Sequence, residues 1–315
     1  MTDSIRLTID PPIHMPGSPS VVTIGVFDGV HLGHRALIGQ AVERARALGV
    51  RSVAITFSPH PREVLARGEP VQYLTDIDER RALIHALGVD VVATLHFNLA
   101  VAGLSADAFL AEIEAQLGLV ELWVGPDFAL GHHRHGTVPV LQEIGRQMGF
   151  AVHTVPPVVL DGVVVSSSNI RRMLLEGDVA GAAVFLGRPY TLEGTVEPGA
   201  RRGRQLGFPT ANIPLSATRV VPANGIYVVR ALTAQGLLPA VANVGIRPTF
   251  GQNEPNLEVH ILDFEGDLYG QHLRVAFLRR LRSERRFASI ADLQAQIQAD
   301  VYQARAYFQT AGKPA

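Results

Sequence analysis

The stretch VVTIGVFDGVHLGHRAL, residues 21–37, decides how the first half of the chain is read. VVTIGV (21–26) is a short β-branched run of the kind that forms a buried strand, and an amphipathic helical pattern runs from 33 to 48. The residues FDGVHLGH therefore lie at a strand-to-helix junction. The same rhythm repeats outward. RSVAITF (51–57), VDVVATLHF (89–97), ELWVG (121–125) and AVHTVPPV (151–158) read as further strands. Helical patterns stand near 76–87, 105–117 and 138–148, with Thr75 and Ser105 where N-caps belong. Strands alternating with helices imply a parallel sheet, here a five-stranded, doubly wound, Rossmann-like α/β layout. Ligands of such sheets bind beyond the carboxyl ends of strands, which is where FDGVHLGH sits.

After about residue 186 the rhythm changes. TLEGTVEPG, GIYVVRAL, LPAVANVG, NLEVHILDF and HLRVAFLRRL alternate with period two between glycine turns, and EGD (265–267) reads as the turn between the last two. Short strands of this kind indicate a closed antiparallel β-barrel. ASIADLQAQIQADVYQARAYFQ, apolar at 290, 293, 297, 301, 304 and 308 and opened by a Ser289/Asp292 capping box, adds a C-terminal helix packed on the barrel. The expected fold is α/β plus all-β, with one domain over 1–186 and another over 187–315. LEGDVAGAAVFLGRPY, which has a short helical pattern of its own, connects them.

The 315 residues, 47% of them hydrophobic, suffice for two cores. With 28 basic against 29 acidic residues, the formal charge of -1 offers no electrostatic footprint for nucleic acid or an anionic membrane. The absence of cysteine excludes disulfides, thiolate catalysis and thiolate metal sites; it fits a reducing compartment, so the cytoplasm is the expected location. MTDSIRLTIDPPIHM lacks the basic and apolar segments of a signal peptide, and no apolar run reaches membrane-spanning length. Only Lys313 among the cations is a lysine, so phosphate bound in the motifs below must be held by Arg, His, backbone N–H groups or a metal.

His31 and His34, three apart where a helix begins, can direct two ring N–H groups at one anion, and Gly33 between them gives a phosphate access to the backbone. Zinc is a competing reading. It needs further ligands, which GHHRHG (131–136) could donate, but no HExxH or CxxC accompanies the pair. Taken alone, HLGH also reads as a structural turn. SSSNIRR (166–172) adds three hydroxyls at a helical N-terminus followed by Arg171 and Arg172. Serines there can simply cap a helix. Together with free N–H groups and an arginine they also form a polyphosphate cradle that needs no lysine. The usual phosphate loops, GxxxxGK[ST] and GxGxxG, are absent.

GVFDGVHLGH, TFSPHP (56–61), VGPDFALG (124–131) and SSSNIRR resemble, in order and spacing, the adenylyltransferase module of prokaryotic bifunctional riboflavin kinase/FAD synthetases. The resemblance implies a nucleotidyltransferase domain that moves AMP from ATP to FMN, giving FAD and pyrophosphate. It implies that His31 and His34 are the catalytic donors to charge developing on the phosphates. A phosphate nucleophile is already ionised at neutral pH, so they need not be bases. Nucleotide binding is implied at Gly25, Phe27, Asp28 and Gly33, at Asp127, and at Ser167, Ser168 and Arg171. Asp28 is in addition a candidate metal ligand or a brace for the FDG turn. Asp127, Leu130 and Ser168 stand where the family often has Asn, Phe and Thr, and the hydroxyl survives the last change.

In the second half, GARRGRQLGFPTANI spaces glycines at 199, 203 and 207, a weak signal alone because barrel turns use glycine freely. In PTAN, Pro209 fixes the backbone while the Thr210 hydroxyl and Asn212 amide offer neutral oxygens to a magnesium ion otherwise held by water and phosphate. A side-chain-capped turn is the alternative. Glu258 alternates with Leu257 and Val259 and shares a face with His260. A primary alcohol keeps its proton far above pH 7, so phosphorylating one benefits from a nearby carboxylate; Glu258 is the candidate base and His260 the second choice.

GRQLGFPTAN, GIYVV, VANVGIRPTF, LEVHILDFEGDLYG and LRSERRF resemble the riboflavin kinase module of the same enzymes, over nearly all of 187–305. The resemblance implies FMN synthesis from riboflavin and ATP, with Thr210 and Asn212 on Mg2+ and nucleotide phosphate and Glu258 accepting the ribityl 5'-hydroxyl proton. Gly199, Gly203, Arg204, Gly207, Phe208 and Pro209 would surround the nucleotide. Arg282 and Phe287 would flank the flavin ring, unless they form a solvated arginine face. The expected partners are riboflavin, FMN, FAD and ATP, with neither nucleic acid nor membrane. A single-activity enzyme with one decayed module is the main alternative, opposed by the intact HLGH, PTAN and Glu258. A flavin-binding carrier is the other. A nucleic-acid-binding barrel lacks the interleaved aromatics that stacking needs.

Overall fold

The computed structural model describes residues 8–10, 18–66, 71–199, 203, 206–249 and 252–311. Its chain divides into two compact units, Met1–Ser167 and Ser168–Ala315.

The first unit follows the alternation of strands and helices. In chain order it comprises β1 (Ile9–Asp10), β2 (Ser20–Ile24), α1 (Leu32–Leu48), β3 (Arg51–Ser58), α2 (Pro61–Leu65), α3 (Ile77–His85), β4 (Val91–His96) and α4 (Leu99–Ala102). Then come α5 (Ala106–Leu117), β5 (Leu119–Val124), the hairpin β6 (Ala129–Leu130) and β7 (Gly136–Thr137), α6 (Val138–Met148), β8 (Ala151–Thr154) and the hairpin β9 (Val159–Leu160) and β10 (Val163–Val164). The main sheet has the order β1-β4-β3-β2-β5-β8, parallel except for β1. Helices cover both faces, which is why β2 is buried at every position rather than at alternate ones. Val22 and Ile24 pack with Phe109, Leu110 and Ile113 of α5, whereas Val21 packs with Ala41 and Ala45 of α1. From β2 the chain builds outward through β3 and β4, then returns to place β5 and β8 on the other side. The loop after β2 therefore leaves the sheet at its switch point, where a crevice opens between diverging connections.

Two expectations need correction here. Asp76, not Thr75, caps α3, its carboxylate accepting from the Glu79 N–H at 2.8 Å. Thr75 is turned away toward residues 28 and 29. Ser105 is the N-cap of α5, as expected, although its side chain makes no capping bond. The sheet also gains β1, a sixth strand too short to show a period in sequence.

The second unit begins with helices. α7 (Ser167–Glu176) starts at the last residue of the first unit, and α8 (Val179–Leu186) is the helix expected in the connecting segment. Asp178 caps α8 by accepting from the Gly181 N–H at 2.9 Å, and Gly187 ends it at φ 68°. The expected boundary at 186/187 and the division at 167/168 differ by these helices. Arg280 holds the Glu176 carbonyl at 3.1 Å, tying the end of α7 to the barrel.

The barrel strands are β11 (Tyr190–Thr195), β12 (Ala211–Pro214), β13 (Gly225–Thr233), β14 (Gly236–Thr249), β15 (Gln252–Ile261) and β16 (His272–Arg282), followed by α9 (Ile290–Ala311). They are antiparallel in the order β11-β16-β13-β14-β15-β12. A bridge between Glu197 and Asn212, with the Glu197 N–H donating to the Asn212 carbonyl at 2.8 Å, nearly closes the ends. Tyr227, Val229, Ala242, Val244, Leu257 and Phe277 fill the interior without solvent exposure. The barrel is a packed core, and ligand must bind outside it. α9 covers part of the outer face, where Val228 and Val241 meet Ala304, Val301 and Phe308. The Ser289/Asp292 cap forms as expected, the Asp292 N–H donating to Ser289 Oγ at 3.1 Å. β12 was not expected as a strand, because ANIP is short and follows the PTAN turn signal. β15 ends at Ile261, so the connection to β16 starts at residue 262, ahead of EGD.

Candidate active sites

The loop from Gly25 to His31 is held in an unusual shape by a buried ion pair. Phe27 and Val30 have φ of 51° and 41°, on either side of Gly29 at 82°. Non-glycine residues reach this region only when surrounding contacts dictate it. The Asp28 carboxylate accepts from the N–H groups of Leu74 and Thr75 at 3.0 and 3.1 Å and from the Thr75 hydroxyl at 3.2 Å. Arg80, 2% exposed, lies 3.5 Å from Asp28 and also donates to the Phe57 and Thr75 carbonyls at 3.3 Å. Asp28 is thus a brace for the FDG turn. Arg80 carried no motif in the sequence; a lone arginine in an amphipathic helix reads as a surface residue.

The histidines sit on this braced loop. His31 is the N-cap of α1, its Nδ1 accepting from the His34 N–H at 3.3 Å. A ring nitrogen that accepts carries no proton, so the His31 proton lies on Nε2. The two rings stack at 3.6 Å, and the Phe27 ring meets His34 edge-on at 5.3 Å. Phe27, 2% exposed, supports the pair from beneath. A side chain on Gly25 would press on that ring at 2.7 Å. His34 Nδ1 is sealed from solvent and has no hydrogen-bond partner among the described residues. Burial, then the His31 ring, then the Arg80 cation hold the His34 pKa well below 6.5, so its imidazole is neutral at neutral pH. At Gly33 the space a Cβ would need is bounded by the His31 ring at 3.2 Å and the Val165 carbonyl at 3.4 Å. The glycine thereby admits protein backbone close to the helix start. Ser167 Oγ donates to the Asp28 carbonyl at 2.9 Å, bringing the serine motif to the loop. Ser168 and Arg171 follow on the first turns of α7. Asp127 is exposed on the loop after β5, its carbonyl accepting from Arg134 at 3.2 Å.

The barrel site is a cavity of about 1020 Å³ on the outer face of the sheet, lined by both PTAN oxygen donors, Glu258, Arg282 and Phe287. Strand register arranges its floor. Asn212 is directly opposite Glu258, Glu258 opposite Asn243, Asn243 opposite Ile226, and Ile226 opposite Arg282. Directly paired residues have their side chains on one face, with Cβ atoms about 5 Å apart. One row thus crosses five strands from the PTAN amide to an arginine. Leu257 and Val259, between these positions, point into the core at 0% and 1% exposure.

The loop glycines make room around this floor. A side chain on Gly199 would collide with the Asn212 amide, and one on Gly203 with the Phe208 carbonyl. Gly207 has φ 87°, which only glycine adopts freely. Arg204 lies outside the described residues. Pro209 presents its carbonyl to His260 Nδ1 at 2.8 Å, and the Phe208 ring stands edge-on to His260 at 5.6 Å. His260 therefore holds the PTAN turn. Arg282 is bound to Asp300 of α9 through Nε at 3.0 Å and Nη2 at 2.7 Å. Its guanidinium is 5.9 Å from the Phe287 ring centre, and that of Arg285 is 4.9 Å from it. Asp300, 2% exposed, is a site residue that sequence reasoning missed, since it reads as one more polar helix position.

The family model described as FAD synthetase matches residues 14–169, and the one described as riboflavin kinase matches 186–308. The bifunctional riboflavin kinase/FMN adenylyltransferase of Pseudomonas fluorescens is 43% identical over 91% of this chain and 92% of its own length. The chain belongs to this family. The Escherichia coli K12 member is 38% identical over 93% of this chain and 94% of its own. Among solved structures, a macrolide-efflux protein from Streptococcus pneumoniae superposes with a TM-score of 0.86 at 34% identity, over 94% of this chain and 96% of that one. Among the described residues no helix is long and apolar enough to cross a membrane. The family inferred from the motifs is thus the one that matches, and both halves of its architecture are present.

Proposed function

We propose that the domain over 187–315 phosphorylates riboflavin with ATP to FMN, and that the domain over 1–186 adenylylates FMN with a second ATP to FAD and pyrophosphate. The observation that carries this reading is the row on the barrel's outer face, which sets a carboxylate beside PTAN in a cavity large enough for a flavin. In the kinase step Glu258 takes the proton of the ribityl 5'-hydroxyl. The oxygen then attacks the γ-phosphorus in line, and the bond to the β–γ bridging oxygen breaks to release ADP.

The Thr210 hydroxyl, the Asn212 amide oxygen and the nearby carboxylate are hard oxygen donors that fit magnesium. When bound there the ion would neutralise charge on the ATP phosphates.

In the adenylyl step an FMN phosphate oxygen attacks the α-phosphorus, and the α–β bridging bond breaks. His31, through Nε2–H, and neutral His34 stabilise the charge that develops, and no base is required. The cysteine-free sequence supports the cytoplasm as the site of both reactions. Incubation with riboflavin, ATP and magnesium, followed by chromatography, tests the reading: FMN should appear first and FAD after it. A carrier would yield neither product, and a chain with one decayed module would stop at FMN or act only on supplied FMN.

A further inference from the structure

LRSERRF sets Glu284 among arginines, where in sequence it carried no role. Its neighbours are committed elsewhere: Arg282 binds Asp300 of α9 through Nη2 at 2.7 Å, and Arg285 donates to Gln296 of the same helix. Glu284 reaches toward the sheet instead. Its Oε1 lies 2.7 Å from the point where a Cβ on Gly245 would stand, so the glycine is what leaves the carboxylate its place. Both residues line the cavity.

That point locates the carboxylate. Gly245 stands two residues beyond Asn243 on β14, and Val244 between them is fully buried in the core. Side chains two apart share a face, so a Cβ at 245 would project from the outer face of the sheet, the one that carries Glu258. The Glu284 carboxylate therefore stands over the cavity floor, on an exposed residue that a ligand can reach. Among the described residues no hydrogen bond or ion pair engages it. Gly245 is the diagonal neighbour of Glu258, a separation of about 7–8 Å.

A carboxylate left open in this way accepts strong hydrogen bonds from O–H donors and repels phosphate. The candidate magnesium ligand Asn212 lies on the opposite side of Glu258 from β14, so the phosphate end of the reaction is on that side. A substrate whose reacting hydroxyl meets Glu258 extends the other way, over β14 and Gly245. We infer that Glu284 is a specificity residue for the alcohol substrate: its carboxylate accepts a hydrogen bond from a secondary hydroxyl of the ribityl chain within two carbons of the reacting one. This inference rests on the riboflavin kinase reading of the barrel.

The test compares riboflavin with its 4'-deoxy and 3'-deoxy analogues as kinase substrates of the full-length chain. The wild type should prefer riboflavin over one of the two by on the order of tenfold or more in kcat/KM. Glu284→Ala should lose a similar factor on riboflavin and none on that analogue, whereas Glu284→Gln, which keeps an acceptor oxygen, should retain a preference. Gly245→Ala supplies an independent arm. The added Cβ presses only on the end of a flexible side chain, so the strand is kept while the carboxylate is pushed aside, and the same preference should narrow. Equal losses on all three substrates, or a preference that survives Glu284→Ala, would overturn the proposal, as would a wild type that does not discriminate. A wild type that forms no FMN at all would instead sink the kinase reading, and this inference with it.

Discussion

In the first unit the two histidines proposed to meet phosphate lie at one strand-to-helix junction, His31 at the N-cap of α1 and His34 in its first turn, whereas the barrel draws Asn212, Ile226, Asn243, Glu258 and Arg282 from five different strands. The junction offers the neutral imidazole of His34, and its one carboxylate, Asp28, is engaged by Leu74, Thr75 and Arg80. The barrel sets a carboxylate in the cavity wall. The nucleophile accounts for the contrast. FMN presents an oxygen that already carries charge, so only the electrophile needs help. Riboflavin presents an alcohol, which benefits from a base within reach.

The sharpest way to break this comparison is to remove the proposed base. Glu258→Gln should lower FMN formation roughly 10³-fold while conversion of supplied FMN to FAD is unchanged. Steady-state assays with each flavin separately measure both, and a loss of the two activities together would mean that the reactions are not divided between the sites. Removing the loop's brace should act on stability instead. Asp28→Asn leaves the buried Arg80 cation without its countercharge, and chemical denaturation should find about 3 kcal/mol lost, against no measurable loss if the pair were dispensable.

His31→Ala should cut FAD formation by about 10²-fold and spare FMN formation. A proportional fall in the kinase rate would contradict the assignment. The smallest effect expected is in pH dependence. His34 is held neutral when folded and takes up a proton below about pH 6.5 once unfolded. The stability it contributes is fully present above pH 6.5 and is lost as the pH falls from there toward the depressed folded pKa. The slope is at most about 1.4 kcal/mol per pH unit. His34→Asn should remove that slope. Urea unfolding of both proteins on either side of pH 6.5 reads it, and identical acid sensitivity would show that His34 is not the group concerned.

The same contrast explains what the sequence could reveal. HLGH was legible because its residues are neighbours in the chain and a strand-to-helix junction is a local pattern. PTAN and the alternation around Glu258 were legible for the same reason, and the core positions Leu257 and Val259 followed from period two. Glu284 and Asp300 were not, because their importance comes from the strand that one stands over and from a helix laid across the sheet, neither of which leaves a local mark. Arg80 was missed because nothing in DERRALIH distinguishes the fully buried arginine from Arg81 beside it, which is only partly buried. Thr75 and Asp76 are both good caps in sequence, and only the nearby Asp28 decides which side chain turns back.

The bond between Ser167 and the Asp28 carbonyl spans 139 positions of sequence. Synthesis proceeds from the N-terminus, so the nucleotide loop is made early but lacks this clasp until the serine motif has left the ribosome. Closing so long a loop carries an entropic cost that earlier-formed sheet contacts must reduce by holding the two ends near each other. The first unit is thus synthesised first, yet its loop gains this clasp only once translation has passed residue 167, ahead of the first barrel strand at Tyr190.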